Sequence, residues 1–486
     1  VSVIFVVLIP LLMAAILVSL WNVPKGRKVI AIIGSGAHAL AGAWLLTTVI
    51  QSGLVTKNIS GWIPPFGIEF RADLFSATLV ALASFIGLCV TIYVHSNIDD
   101  ERTNFGFHPL FFVLLGGISG AFVTADLFNM FVWFECILLS SFVLLGLGGE
   151  KKQLRGSLNY VIPNLFSSML FLTGLGLIYG ATGTLNMAQL AERTAQINPS
   201  TAALVTVVFV IAFGLKAALF PFFSWLPNSY HTPPTAVAAL FAGLLTKVGI
   251  YAIIRFVGTI APTTASAVLP ILTIVCVLTI VIGSIGALAH TSLRKILGYL
   301  LIGHIAFMLL GLIVPSQASM AAAYFYMLNH ILVITCLFFF VGIIQWHTGQ
   351  IDIRKIGGLQ AKYPALAIGM AIPTLSLIGI PPFSGFWPKI GLLQAATDSP
   401  IFFASIIFSS FLTLLAMAKV WMTIFWRAEV TEAPEMPPCP TTKALPAYLL
   451  AAVILLISVF PAPIADLTNR AAKEFAPYFQ INGGDQ

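Results

Sequence analysis

Long apolar runs, broken by short polar punctuation, fill this chain almost from end to end. A helix needs about 20 apolar residues to cross the hydrocarbon of a bilayer. Fourteen runs reach that scale, near 2–21, 29–50, 73–95, 108–124, 126–146, 156–180, 201–222, 235–257, 266–289, 295–313, 318–345, 364–395, 402–426 and 445–462. Each predicts a membrane-spanning helix. The fourth and fifth runs are separated by almost nothing, so the division between them is the least marked.

Composition narrows the class. Hydrophobic residues make up 59% of the 486 and charged residues 8%, whereas a soluble chain carries about 25% charged residues. Mean hydropathy is +0.99. Soluble enzyme folds are excluded, and the chain reads as an all-α polytopic membrane protein with the lipid bilayer as a partner. With 28 Pro and 38 Phe, many of its helices must be interrupted. The five cysteines, Cys89, Cys136, Cys276, Cys336 and Cys439, form no paired motif. They suggest neither a disulfide framework nor a metal site, and no cofactor is expected.

The net charge of +7 would suggest nucleic acid in a soluble protein. Here the basic residues sit in short loops and report topology instead. Loops after odd-numbered spans hold fourteen: Lys25, Arg27, Lys28, Arg102, Lys151, Lys152, Arg155, Arg294, Lys295, Arg354, Lys355, Lys362, Arg427 and Lys443. Even loops hold Lys57, Arg71, Arg193 and Arg255, and the tail adds Arg470 and Lys473. The bias places the odd loops in the cytoplasm and both termini outside a bacterial cell membrane. No cleavable signal is expected, because basic residues follow the first apolar run, which opens on Val1, instead of preceding it. The longest polar stretch, about Arg427–Thr442, is a Pro- and Glu-rich loop and not a soluble domain.

Several ionisable residues lie inside apolar runs: Glu135, Lys216, Lys247, Lys389 and Lys419, with His304 and His330. A charge at mid-membrane costs about 2.5–3.5 kcal/mol on insertion scales, so such groups mark ion paths by default. Blander readings differ by position. Lys419, near the end of its span, is best read as snorkelling to the interface, and Lys247 could also reach it. His330 and His304 could be hydrogen-bonded core histidines, and His231, in NSYHTPPT, a turn residue. Asp73 and Asp126 open their spans and read as helix N-caps. Glu135 has no nearby helix end to explain it, and Lys216 lies mid-span, five residues before Pro221. Burial disfavours a charged lysine and a nearby carboxylate restores it, while histidine already titrates near neutrality. A row of Glu, Lys, Lys, His and Lys therefore suits a proton relay. The scarcity of carboxylates argues against a bare-cation path.

Two stretches combine Lys with Pro, Phe, Ser and Trp: KAALFPFFSWLP (216–227) and GIPPFSGFWPK (379–389). Broken helices in the two halves of a membrane protein point to a transport site. Their offset, about 165 residues, fits two five-span units, spans four to eight and nine to thirteen. Five is odd, so the second unit must be inverted. The expected organisation is three N-terminal helices (1–107), a first half-channel repeat (108–258), a second (259–427), and a C-terminal loop, helix and tail (428–486).

ADLFNMFVWFE (125–135), LKAALFPFFSWLPNSYHTPPTAVAALFAGLLTKVGIYAIIR (215–255) and GIPPFSGFWPK closely resemble the antiporter-like subunits shared by bacterial multisubunit Na+/H+ antiporters and respiratory complex I. Within that family the chain is most similar to the D-type subunits of Mrp cation/proton antiporters. The resemblance implies about 14 transmembrane helices with two inverted five-helix repeats, each with a broken helix. It implies Glu135 and Lys216 as the ion pair of the first half, Lys247 as the bridge, His330 as the link to the second half, and Lys389 as its terminal group. His304 matches a supporting position. The family's long lateral helix has no counterpart. The implied partners are other membrane subunits, protons, and Na+ or another monovalent cation. A redox-driven pump subunit of a complex I-like or hydrogenase enzyme shares most of these residues, and a structural scaffold with vestigial charges is the bland competitor.

Overall fold

The computed structural model describes residues 2–21, 23–430 and 437–483. Val1 and residues 431–436 of the Pro- and Glu-rich loop lie outside it, and the Lys25 side chain is likewise not described. Among the described residues, twelve helices are long and apolar enough to cross a membrane. They are α1 (Ser2–Ser19), α2 (Pro24–Ser52), α3 (Leu74–Val94), α5 (Leu127–Gly146), α6 (Lys151–Thr182), α7 (Pro199–Lys216), α8 (Thr235–Ile260), α9 (Pro262–Ala289), α10 (Leu293–Ile313), α11 (Gln317–Thr348), α13 (Pro400–Trp426) and α14 (Thr441–Val459). Two shorter apolar helices, α4 (Phe107–Val123) and α12 (Pro364–Ile378), stand where the fourth and twelfth spans were expected.

The weakly marked division between the fourth and fifth spans is real. Thr124 leaves the helical region, and Asp126 caps α5 by accepting a 2.7 Å hydrogen bond from the Asn129 amide. Asp73 caps α3 in the same way, in a reciprocal box with Ser76. Two expected boundaries change. The seventh span ends at Lys216: Ala218 takes a left-handed conformation (φ +59°), and Pro221 supplies no N–H to resume the helix. The twelfth stops at Ile378, and a separate helix, Phe386–Ala395, resumes beyond Gly379–Gly385.

The loops sort onto two faces. On one, Ala125 N–H donates to Glu69 O, Thr194 bonds Ile260 O, and Leu74 N–H donates to Glu474, so loops after even spans meet one another. On the other, Arg102 reaches Leu147 O, Ala236 N–H donates to Asn97, and Gly358 N–H donates to Arg427 O. Three arginines counted as loop charges are instead buried inside helices, among them Arg27 in α2, which donates to Thr103 O and Asn104. Arg255 lies within α8, and Arg294, in α10, holds Pro233 O, Thr235 and Gln345. The even face also carries a hairpin that the apolar pattern did not announce, β1 (Val55–Asn58) against β2 (Glu69–Ala72). The C-terminal tail is helical too: α15 (Ala462–Ala472) packs back against α11 and α3.

Internal repetition is visible in the punctuation. Asp126 bridges Asn186, and Ser292 bridges Asp352. The 32-residue helices α6 and α11 both end on a left-handed glycine, Gly183 and Gly349. Each of these matched positions is 166 residues from its counterpart, and the two bridges lie on opposite faces. In the middle, α8, α10 and α11 are almost wholly enclosed, while α2, α6 and α9 turn apolar side chains such as Leu40, Ile162 and Ile274 outward.

Candidate functional site

Lys216 is the last residue of α7 and is buried. The break behind it is satisfied from two sides: Trp225 Nε1–H donates to Leu215 O (3.1 Å), and Phe220 N–H donates to Thr279 Oγ1 (2.9 Å). Backbone groups freed inside a membrane persist only with such internal partners. The Lys216 ammonium sits 5.1 Å from the centre of the Phe134 ring. The expected direct ion pair with Glu135 is not formed. Ser168 of α6 stands between them, donating to the Glu135 carboxylate and accepting from Lys216 Nζ at 3.2 Å. Lys216 also borders a cavity of about 20 Å³ with Tyr160, Asn164, Trp225 and Leu245, enough for roughly one water.

Lys247 is fully buried in α8 and donates to Ala242 O at 2.6 Å. Residues 241–245 form a π turn, a local widening that frees carbonyls and is frequent at functional sites. The adjacent Thr246 hydroxyl is buried without a hydrogen-bond partner. Gly249, two residues on, lets α8 close against the backbone of α7: a Cβ there would lie 2.9 Å from Ala217 N and 3.0 Å from Phe213 O. No hydrogen bond joins Lys216 to Lys247 among the described residues.

His330, on α11, makes no hydrogen bond through either ring nitrogen. Its ring centre is 5.5 Å from that of His304, which bonds Thr413 Oγ1 at 3.0 Å. The two histidines form one close pair, and Glu135 with Lys216, joined through Ser168, forms a second group. Lys389, just beyond the second break, donates to Leu377 O (3.0 Å) and Ile378 O (2.7 Å), the last carbonyls of α12. The negative end of a helix dipole thus replaces a counter-ion. A hydroxyl and amide group, Asn329, Ser376 and Ser384, stitches α11 to both sides of this break, at 2.6 and 2.7 Å.

The remaining candidates contact backbone carbonyls. Lys419 donates to Leu288 O and His290 O, capping the end of α9 near the odd face. His231 Nδ1 lies 2.8 Å from Pro227 O in the turn before α8. Burial, then nearby Lys295, lowers its pKa.

Sequence reasoning missed Ser168, Thr413 and the Asn329–Ser376–Ser384 group. It also missed an ionic cluster on the even face. There Arg255 pairs with Asp73 and lies 3.9 Å from Glu474, beside a cavity of about 200 Å³ that Arg71 and Tyr251 also line. Burial alone would raise the Asp73 carboxyl, but the Arg255 guanidinium overrides it and brings it down to about 2. Burial, and then the negative charge of Asp73, push Glu474 up to about 8.

Broken helices, buried lysines at their ends and a central histidine pair define a multi-pass membrane subunit of the antiporter-like class. The family described as NADH:quinone oxidoreductase/Mrp antiporter, TM, matches residues 124–415, and the chain belongs to it. It is 38% identical to the D-type subunit of the Na(+)/H(+) antiporter of Alkalihalophilus pseudofirmus, over 97% of this chain and 96% of that protein. It is 37% identical to the protein of the same name from Bacillus subtilis, over 94% and 92%. Among solved structures, a chain of the Mrp complex from Dietzia sp. superposes with a TM-score of 0.90 at 29% identity, covering 99% of both chains. A chain of the archaeal membrane-bound sulfane sulfur reductase gives 0.92 at 26% identity, covering 99% and 98%.

Proposed function

We propose that this chain is the proton-translocating membrane subunit of a multisubunit Na+/H+ antiporter, working beside other membrane subunits. The observation that carries this reading is the near-full-length identity to two D-type subunits of Na+/H+ antiporters. The buried groups supply a route. Lys216 holds its proton while Glu135 stands close by. When Glu135 draws away, Lys216 loses its counter-charge and passes the proton to Lys247. From there it moves through His330, with His304 in support, to Lys389 and an exit. The Glu135–Ser168–Lys216 group and the His304–His330 pair support this division into a first and a second half, and the cavity beside Lys216 offers room for a water. Odd loops are assigned to the cytoplasm by their basic residues. Coupled Na+ movement is assigned to other subunits.

Antiport in everted vesicles tests the reading. Glu135→Ala and Lys216→Ala are each expected to lower Na+-driven proton exchange by at least about a hundredfold, a loss typical of a removed proton-transfer group. The assembled complex should remain visible on a native gel. Full exchange in an assembled Lys216→Ala complex would remove the first step. The likeness to the sulfane sulfur reductase chain favours a second reading, a subunit of a redox-driven pump. Co-purification with iron–sulfur proteins instead of small membrane subunits would select it.

A further inference from the structure

Glu135 and Lys216 meet only through the Ser168 hydroxyl, which has one proton to give and two lone pairs to offer. With an ammonium on one side and a carboxylate on the other, a single orientation satisfies both. The O–H points at Glu135, and a lone pair faces Lys216. We propose that Ser168 is a reversible one-proton switch that exchanges the charged Glu135–Lys216 pair for a neutral one.

The step balances within three side chains. An N–H bond of Lys216 breaks and its proton bonds to Ser168 Oγ. The former Oγ–H bond breaks at the same time, and that proton bonds to the Glu135 carboxylate. The products are a neutral amine, a neutral carboxylic acid and an intact hydroxyl that now donates to the amine. The reverse step restores the ion pair, and Ser168 never carries charge. The exchange has a use in this setting. Lys216 is buried and Glu135 part-buried, so separating them as ions leaves a charge uncompensated at a cost, whereas a neutral acid and amine part more easily. In the neutral form Lys216 has no proton to give Lys247, so the switch decides whether a separation of the pair delivers one: only the charged form loads the relay.

The fold holds the hydroxyl in register. The neighbouring Ser167 donates to Ala212 O at 2.6 Å, which fixes α6 against α7 one turn before Lys216. Ser168 is 6% exposed, and Phe134 and Phe171 pack around this part of the pair. A serine that only filled space between the helices would need neither contact.

This inference rests on the relay reading, and its test separates the two. Ser168→Ala, Ser168→Thr and Ser168→Val would be compared with Lys216→Ala for Na+-driven proton exchange across pH, in complexes whose assembly is checked. We expect Ser168→Ala to lose about tenfold or more and to displace the pH profile, as for loss of a proton-transfer group. Ser168→Thr, which keeps the hydroxyl, should hold the wild-type profile. Wild-type rate and profile in Ser168→Ala, with Lys216→Ala inactive, would overturn the switch and leave the relay standing. Equal losses in assembled Ala and Thr variants would overturn it too, by making size the cause. If Ser168→Ala fails to assemble, Ser168→Val decides: it matches threonine in shape but has no hydroxyl, and full activity there would overturn the proposal.

Discussion

Gly379 ends α12 with φ at +86°, and a Cβ on it would lie 2.6 Å from Lys389 Cδ. Alanine there meets a double penalty, a left-handed backbone that L side chains disfavour and a push on the lysine it abuts. Left-handed strain on a non-glycine residue costs on the order of 1–3 kcal/mol. Gly379→Ala is therefore expected to lower antiport several-fold and to reduce the melting temperature of the purified complex, both read beside the wild type. An unchanged melting curve with unchanged exchange would mean that the break tolerates displacement of Lys389. The same neighbourhood shows what single residues disclose in advance. Lysines stand out because a charge in an apolar run is rare, so Lys216, Lys247 and Lys389 were legible at once. Their partners were not. Leu377 O, Ile378 O and Ala242 O are backbone atoms of ordinary residues. Ser168 and Thr413 look like any hydroxyl in a span, most of which, like Thr78, Thr91 and Thr206, bond their own helix four residues back. Only the packing of α6 on α7 distinguishes Ser168.

At the scale of elements, the C-terminal segment behaves as a latch on the even face. Leu74 N–H donates to Glu474 across 400 residues of chain, and Tyr478 donates to Leu312 O at 2.5 Å. No local pattern reveals a partner so distant, which is why the tail read only as two stray basic residues. Glu474, pushed up to about 8, keeps its proton when docked at pH values where a free carboxyl has lost it. The docked state thus binds more protons than the undocked one. This contribution to docking is fully present below about pH 4.5, the ordinary glutamate range, and is lost as pH rises through about 8. Asp73, held at about 2, contributes in the opposite sense, and its share is lost only as pH falls through that value. Amide exchange in residues 462–482, corrected for its intrinsic pH dependence, should therefore accelerate between pH 7 and pH 9. Glu474→Gln should flatten the response. Identical pH dependence in wild type and variant would show that Glu474 does not govern the latch.

For the molecule as a whole, alternating loops and an odd-numbered repeat decide what each face can be. The crossings were legible because the bilayer demands a minimum apolar length. The two breaks were legible because proline and lysine coincide there. The hairpin was not, since β1 and β2 hold four residues each and pair across a loop rich in exposed apolar side chains, Trp62, Ile63 and Phe66. Three helices separate that hairpin from Lys151, so the two lie on opposite faces. With basic residues concentrated on the odd loops, Lys151 should face the cytoplasm and Trp62 the outside. A membrane-impermeant maleimide checks this in cells carrying Trp62→Cys or Lys151→Cys, each in a background with Cys439 changed to Ser, since native Cys439 is only partly buried. Intact cells should label the first alone and everted vesicles the second alone. The reverse pattern would invert the molecule, leaving the bundle intact. Labelling of both from one side would contradict the alternation of faces on which the inverted repeat depends.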